Sequence, residues 1–227
     1  MTGQDRDSAG GATDRVLRWP TPRSREWAAA FLESAEHNPN ILAVVAVGSA
    51  VRPGVRSADV DFVVICRDLS AVHEDPPIEV DLRTYSVASI EDRLKAGHDM
   101  LGWALRFGRI LFQRDRFWDR LADAWRHRLV LPPSKLARAR AANAHRHLVT
   151  VLQFGDADAA HEQALSYLTH LARAELLDRG IFPASRPELA QQLRAIGNIQ
   201  TARWLEDVLS GGRIRLSDLD KLLQVAV

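Results

Sequence analysis

The apolar residues change their spacing about halfway along the chain, which predicts two halves of different construction. In the first half, two short and mainly apolar runs, residues 41–47 and 60–66, are typical of strands that are buried on both faces. A third run, residues 78–85, alternates apolar and polar positions and predicts another strand. Before them, apolar residues at helical spacing predict a helix with Ser24 as its N-cap that ends before Asn38.

Residues 87–107 have a helical pattern, which Gly108 interrupts, and residues 109–112 predict an edge strand. After Asp115 every apolar pattern has the helical period. The predicted helices of this half span residues 117–128, 134–154, 156–179, 186–196, 199–209 and 217–225. We therefore expect an α/β (α+β) domain with a mixed sheet at residues 23–114 and an all-α helical bundle at residues 115–227. Residues 1–22 are polar and lack periodicity, so we expect a disordered tail there.

Composition narrows the choice of partners. The chain has 30 Lys plus Arg against 29 Asp plus Glu and no long basic run, so nucleic acid is an unlikely partner. Its one cysteine, Cys66, lies in an apolar run and can form no intrachain disulfide. Residues 1–15 lack the apolar core of a secretory signal, and no window approaches the roughly 20 apolar residues that a membrane crossing needs. We expect a cytoplasmic protein with no membrane contact.

The first candidate for chemistry is the turn Gly48-Ser49, which ends the first predicted strand. A strand that runs into such a turn exposes backbone N–H groups, and glycine lets a phosphate approach them closely. The sequence therefore predicts a phosphate-binding turn, although Gly-Ser after an apolar run is more often a plain turn.

The paired acids Asp59 and Asp61 follow ten residues after this turn. Residues two apart in a strand point to the same face, so both carboxylates share one side of the sheet. At about 6 Å they would repel each other by roughly 3 kcal/mol at an effective dielectric constant of about 20. A divalent cation with a preference for hard oxygen ligands, Mg²⁺ or Mn²⁺, would offset this repulsion. The alternative is a solvated strand end, which the apolar flanks of the pair disfavour.

A third acid, Asp81, lies among the apolar residues of the third predicted strand. From a neighbouring strand it could face the same cleft, where it would ligate a second metal ion or take a proton from an incoming hydroxyl. Glu79 shares its face and is the rival for this role. We favour Asp81 because position 79 lies nearer the start of the strand.

Together, Gly48-Ser49, Asp59-Val60-Asp61 and Asp81 resemble the pattern of the polymerase-beta-like nucleotidyltransferase superfamily. The resemblance covers roughly residues 25–114. Two departures occur: Arg52-Pro53-Gly54 stands where members often have Arg-Gly, and Ser57 is separated from the first acid by Ala58. Neither departure affects a predicted metal ligand.

The resemblance implies magnesium-dependent transfer of a nucleoside monophosphate, expected to be AMP, from ATP or another nucleoside triphosphate to a hydroxyl. The helical second half resembles, in layout, that of small-molecule members such as the aminoglycoside-modifying ones, so the expected acceptor is a small molecule. In this assignment Asp59 and Asp61 hold the metal, and Asp81 is the base or a further metal ligand. Gly48 and Ser49 bind the β and γ phosphates, whose charge Arg52 neutralises.

Other functions within and outside this class stay open. Antitoxin-like members attach AMP to a helical toxin protein, and a nucleotide-binding regulator would keep the fold without turnover. Aminoglycosides are polycations, whereas residues 115–227 contain more basic than acidic side chains, which disfavours them as acceptors. Glu162 and Glu175 are the acids of the middle helices that could bind an acceptor. Glu175 is more simply interpreted as a charge paired with neighbouring arginines on the helix face.

Overall fold

The computed structural model describes residues 9–53, 58–72 and 75–212 and divides the chain into two compact units, which meet at Val130 and Leu131. The helices of the first unit are α1 (Ala9–Thr13), α2 (Pro22–His37), α3 (Val87–Lys95), α4 (Asp99–Phe107) and α5 (Phe117–Trp125). Its strands are β1 (Ile41–Val47), β2 (Val60–Cys66), β3 (Val80–Ser86) and β4 (Arg109–Gln113). Short 3₁₀ turns at Ser49–Val51 and Leu69–Ala71 follow β1 and β2.

The four described strands form one mixed sheet in the order β3-β2-β1-β4. β2 and β3 run parallel, whereas β1 pairs antiparallel with both β2 and β4. β1 is buried along its whole length, as the unbroken apolar run predicts for a central strand. The first unit is therefore the mixed α+β structure that the sequence pattern indicates, with β4 as the predicted edge strand.

Aromatic side chains hold α2 against the sheet. The ring of Trp27 lies 5.1 Å from that of Phe31 and 6.3 Å from that of Phe62 in β2, and both pairs are stacked. Because side chains alternate along a strand, Phe62 points away from the face that carries Asp61. The aromatic layer and the acids thus occupy opposite faces of the sheet.

The start of the fold differs from the sequence expectation. Residues 9–22 were expected to belong to a disordered tail, but the structure places α1 there, with Ala12 and Thr13 buried. The N-cap of α2 is Thr21, and Ser24 is the third helical residue, which closes a reciprocal capping box with Thr21. A five-residue helix has too little periodicity to be recognised in a sequence.

The second unit contains α6 (Ser134–Gln153), α7 (Ala157–Asp178), α8 (Leu189–Ala195) and α9 (Ile199–Leu209), with a 3₁₀ turn at Arg186–Glu188. Its core is formed by the apolar stripes of these helices, with Leu148, Leu168, Leu176, Leu193 and Leu205 among the buried residues. The helix predicted at residues 217–225 lies outside the described residues.

The boundary between the units lies later than the sequence pattern suggested. α5 was expected in the helical half, yet it falls in the first unit, where it contacts β1 and β4 and buries Trp118 and Trp125. Helical periodicity shows that a segment has an apolar face but not which element covers it, so the change of pattern at Asp115 is not a domain boundary. Across the described ranges, no helix has the length and apolar character that crossing a bilayer requires.

Candidate functional site

The turn after β1 has the backbone conformation that only glycine adopts readily. Gly48 has φ +80° and ψ −160°, and a Cβ atom at this position would lie 2.6 Å from Oδ2 of Asp61. The next three residues, Ser49–Val51, form the 3₁₀ turn, and the Arg52 N–H donates to the Ser49 carbonyl at 3.0 Å. Glycine therefore brings the backbone of the predicted phosphate turn into close contact with the predicted metal-binding acid.

Strand register brings the second and third acids together. Asp61 of β2 pairs with Val47 on one side and with Asp81 of β3 on the other. Paired residues of neighbouring strands have their side chains on the same face of the sheet, about 5 Å apart at the backbone. Asp59 is exposed and stands just before β2. The structure thus gathers the predicted acids and Gly48 around the end of β1.

The electrostatics of Asp61 report this crowding. The pKa of its carboxyl is raised from 3.8 to about 6, first by burial and then by the negative charges of Asp59 and Asp81, while the positive charge of Arg83 opposes the rise. Desolvation and like charge both disfavour the ionised form. A cation bound next to Asp61 would reverse both effects, and this fits the proposal that the acids hold one.

Arg83 is the residue of this site that the sequence analysis missed. It lies two positions after Asp81 in β3, and its guanidinium donates a hydrogen bond to the Asp81 carboxylate in an ion pair. The side chains are 54% and 42% exposed, so water weakens the pair. The signal was present in the sequence, because residues two apart in a strand share a face. The third acid therefore has a protein cation beside it.

The metal assignment can be tested against the positions of the donor groups. Throughout residues 9–53, 58–72 and 75–212, no three or more His, Cys, Asp and Glu side chains are close enough to hold a metal ion by themselves. Mg²⁺ is commonly bound by one or two carboxylates, with substrate phosphates and waters as its other ligands. The two carboxylates of Asp59 and Asp61 match this ligand set in number and type, and their role as metal ligands stays a prediction. The role of Asp81 as a further ligand stays a prediction.

The predicted phosphate-neutralising arginine has a defined position. Arg52 ends the 3₁₀ turn, and its guanidinium lies over the ring of Phe107 at 4.8 Å. The Arg106 guanidinium lies 5.6 Å from the same ring, and Trp103 packs against it at 5.0 Å. Cation–π contacts of this kind restrain a guanidinium while it stays partly accessible. Phe107 is thus a second residue that sequence reasoning did not connect with the site.

The remaining sequence candidates have less support. Glu79 lies in the turn before β3, outside the strand that carries Asp81. Glu175 accepts hydrogen bonds from Arg179 at 2.7 Å and from the Asn198 side chain, in line with the helix-face pairing that we favoured. Glu162 is exposed on α7. Ser57 lies outside the described residues.

Comparisons with known proteins give a distant structural similarity. No family model matches the chain, and no similar curated protein was found. Among solved structures, the chain is similar to a nucleotidyltransferase-like protein from Exiguobacterium sibiricum 255-15. The two share 20% sequence identity, with a TM-score of 0.41, over 86% of this chain and 69% of that chain.

Proposed function

We propose that the chain is a nucleotidyltransferase that moves a nucleoside monophosphate, expected to be AMP, from a nucleoside triphosphate to a hydroxyl of a small molecule. One observation supports this proposal most: Asp61 lies between a glycine turn on one side and a second acid, Asp81, on the neighbouring strand. The arrangement supports the proposal because the backbone turn that would bind phosphate and the carboxylates that would bind a cation lie around one strand end. In the protein without a bound cation, the same arrangement raises the pKa of Asp61.

The proposed reaction forms one bond and breaks one bond. The acceptor oxygen attacks the α phosphorus, the bond from this phosphorus to the bridging oxygen breaks, and pyrophosphate leaves with the electron pair. Gly48 and Ser49 would present backbone N–H groups to the β and γ phosphates, and Arg52 would add positive charge there. Asp81 would take the proton of the acceptor hydroxyl through the carboxylate oxygen that does not accept the hydrogen bond from Arg83. A bound Mg²⁺ would neutralise charge on the phosphates.

Binding and turnover can be measured separately. Calorimetry with ATP, with and without Mg²⁺, should show binding that depends on the metal and that Asp59→Asn and Asp61→Asn remove. Pyrophosphate release with a panel of hydroxyl-bearing acceptors should then identify turnover. Nucleotide binding that is equal in the wild type and in both variants would refute the assignment of the acid pair.

The Asp81–Arg83 ion pair also favours a second candidate, a nucleotide-binding regulator without turnover. In that case Arg83 would hold Asp81 permanently, and metal-dependent binding would occur without pyrophosphate release from any acceptor. Transfer to a protein is the other enzymatic alternative. It would appear as radioactive label from α-³²P-ATP on a protein band that is lost in Asp61→Asn.

A further inference from the structure

Residues 15–19, which precede α2, contact the 3₁₀ turn that follows Gly48. The backbone N–H groups of Leu17 and Arg18 both donate to the carbonyl oxygen of Ala50, at 3.0 and 3.3 Å. Ala50 is the central residue of the turn and is only 1% exposed. A buried carbonyl needs a hydrogen-bond partner, and here the N-terminal segment supplies two.

The segment is also attached to the sheet. The Arg15 guanidinium donates to the Ile110 carbonyl of β4 at 2.8 Å, and Val16 is 4% exposed. The Trp19 indole lies 6.2 Å from the Phe62 ring of β2 and donates to the Thr13 carbonyl at 3.3 Å. Contacts with β2 and β4 therefore fix the segment on both sides of the point where it meets Ala50.

A three-residue 3₁₀ turn has little conformational stability of its own, because few hydrogen bonds offset the loss of backbone entropy. A phosphate site made of backbone N–H groups binds well only when these groups already have the right orientation. An attachment to the middle of the turn would thus improve binding without any contact with the nucleotide.

We propose that the backbone N–H groups of Leu17 and Arg18 are positioning groups that hold the 3₁₀ turn at Ser49–Val51 in its nucleotide-binding conformation. The turn then loses less conformational entropy when a triphosphate binds. This inference rests on the proposed function for its effect on nucleotide affinity. Its structural part, that the segment holds the turn, can be tested without a nucleotide.

The test removes the Leu17 N–H, the donor of the shorter of the two hydrogen bonds to Ala50, and keeps the rest of the segment. Leu17→Pro removes one donor, and replacing Leu17 by its α-hydroxy acid changes the same N–H to an ester oxygen with little steric change. Leu17→Ala is the matched control, because the side chain is 48% exposed and the N–H remains. Val16→Ala is a second control, since it loses buried packing but no hydrogen bond.

Amide hydrogen exchange of residues 49–52 is the direct measurement, and Mg-ATP affinity by calorimetry is the functional one. We expect exchange at the turn to accelerate at least tenfold in the ester and proline variants, with β1 and β2 unchanged, and affinity to fall about tenfold. Leu17→Ala should match the wild type, and Val16→Ala should lower overall stability with no selective change at the turn.

Each result has a defined meaning. Turn exchange that stays at the wild-type rate in the ester variant overturns the inference, and the ester variant decides if Leu17→Pro does not fold. Faster turn exchange with unchanged affinity also overturns it, because positioning would then have no effect on binding. If the wild type binds no nucleotide, the proposed function fails, and the exchange rates still show whether the segment holds the turn.

Discussion

Replacing Asp61 with asparagine should make the folded protein more stable in the absence of divalent cations. The Asp61 carboxyl has its pKa raised from 3.8 to about 6, first by burial and then by the charges of Asp59 and Asp81. A rise of this size corresponds to about 3 kcal/mol of folding free energy at a pH well above 6. Asparagine has a similar shape and no charge, so the variant should recover part of this energy, with about 3 kcal/mol as the upper bound.

The effect should depend on pH in a defined direction. A carboxyl with a higher pKa in the folded state holds its proton more tightly there, so stability is lost as the pH rises from 3.8 through about 6. At pH 8 the whole penalty of about 3 kcal/mol applies, whereas at pH 5 about half of it remains. The advantage of Asp61→Asn over the wild type should therefore be largest at pH 8 and shrink toward pH 4.

Urea unfolding in EDTA at pH 8, 6.5 and 5 measures this difference. Asp92→Asn is the matched control, because the Asp92 side chain is 87% exposed and its loss should change stability by less than about 0.5 kcal/mol at each pH. With Mg²⁺ and ATP the order should reverse, since only the wild type gains stability from binding. Lower stability of Asp61→Asn at pH 8 in EDTA, or a difference that does not vary with pH, would refute the reasoning.

Three further predictions concern the same site. Asp81→Asn should lower turnover by about 10²-fold to 10⁴-fold with little change in nucleotide affinity, and Glu79→Gln should change neither quantity. Kinetics at saturating Mg²⁺ with an identified acceptor measure both variants, and the opposite pattern would move the role to Glu79. Gly48→Ala should lower the free energy of unfolding by about 1–3 kcal/mol and abolish nucleotide binding, because the new Cβ meets Asp61. Gly155→Ala is the control: Gly155 has φ +74° and no atom lies within 4 Å of the new Cβ, so this variant should show only the backbone strain. Equal urea midpoints for the two variants would contradict the contact with Asp61. Arg83→Gln should steepen the loss of stability between pH 5 and pH 8, because Arg83 lowers the pKa of Asp61. An unchanged slope of the unfolding free energy against pH would show that the guanidinium does not act on Asp61.

Much of the first unit could be predicted because its strands are apolar and short. The limits of β1 and β2 match the apolar runs, since both strands are covered on both faces. The third strand was predicted to begin at position 78, but Ile78 is 98% exposed in a turn and β3 starts at Val80. Strand ends are set by the hydrogen bonds of the neighbouring strand, which a hydrophobic pattern does not contain.

The sequence identifies the acids of the candidate site but does not give their relative positions in the fold. Spacing places Asp59 and Asp61 together, because they are neighbours in the chain. The pairing of Asp61 with Asp81 depends on β2 and β3 lying side by side, parallel and in one particular register. A shift by one residue would turn Asp81 to the other face, and apolar periodicity alone does not fix that choice. The sequence predicted only that Asp81 could face the same cleft from a neighbouring strand.

The Asp81–Arg83 ion pair adds a positive charge to a candidate site that otherwise consists of acids. Three carboxylates near one strand end repel one another, and this repulsion adds to the rise in the pKa of Asp61. Arg83 supplies a positive charge that partly offsets the repulsion, and its exposure keeps the pair weak enough to separate. An arginine two residues after an acid in a strand is therefore part of the candidate site, because its charge acts on the neighbouring acids and lowers the pKa of Asp61.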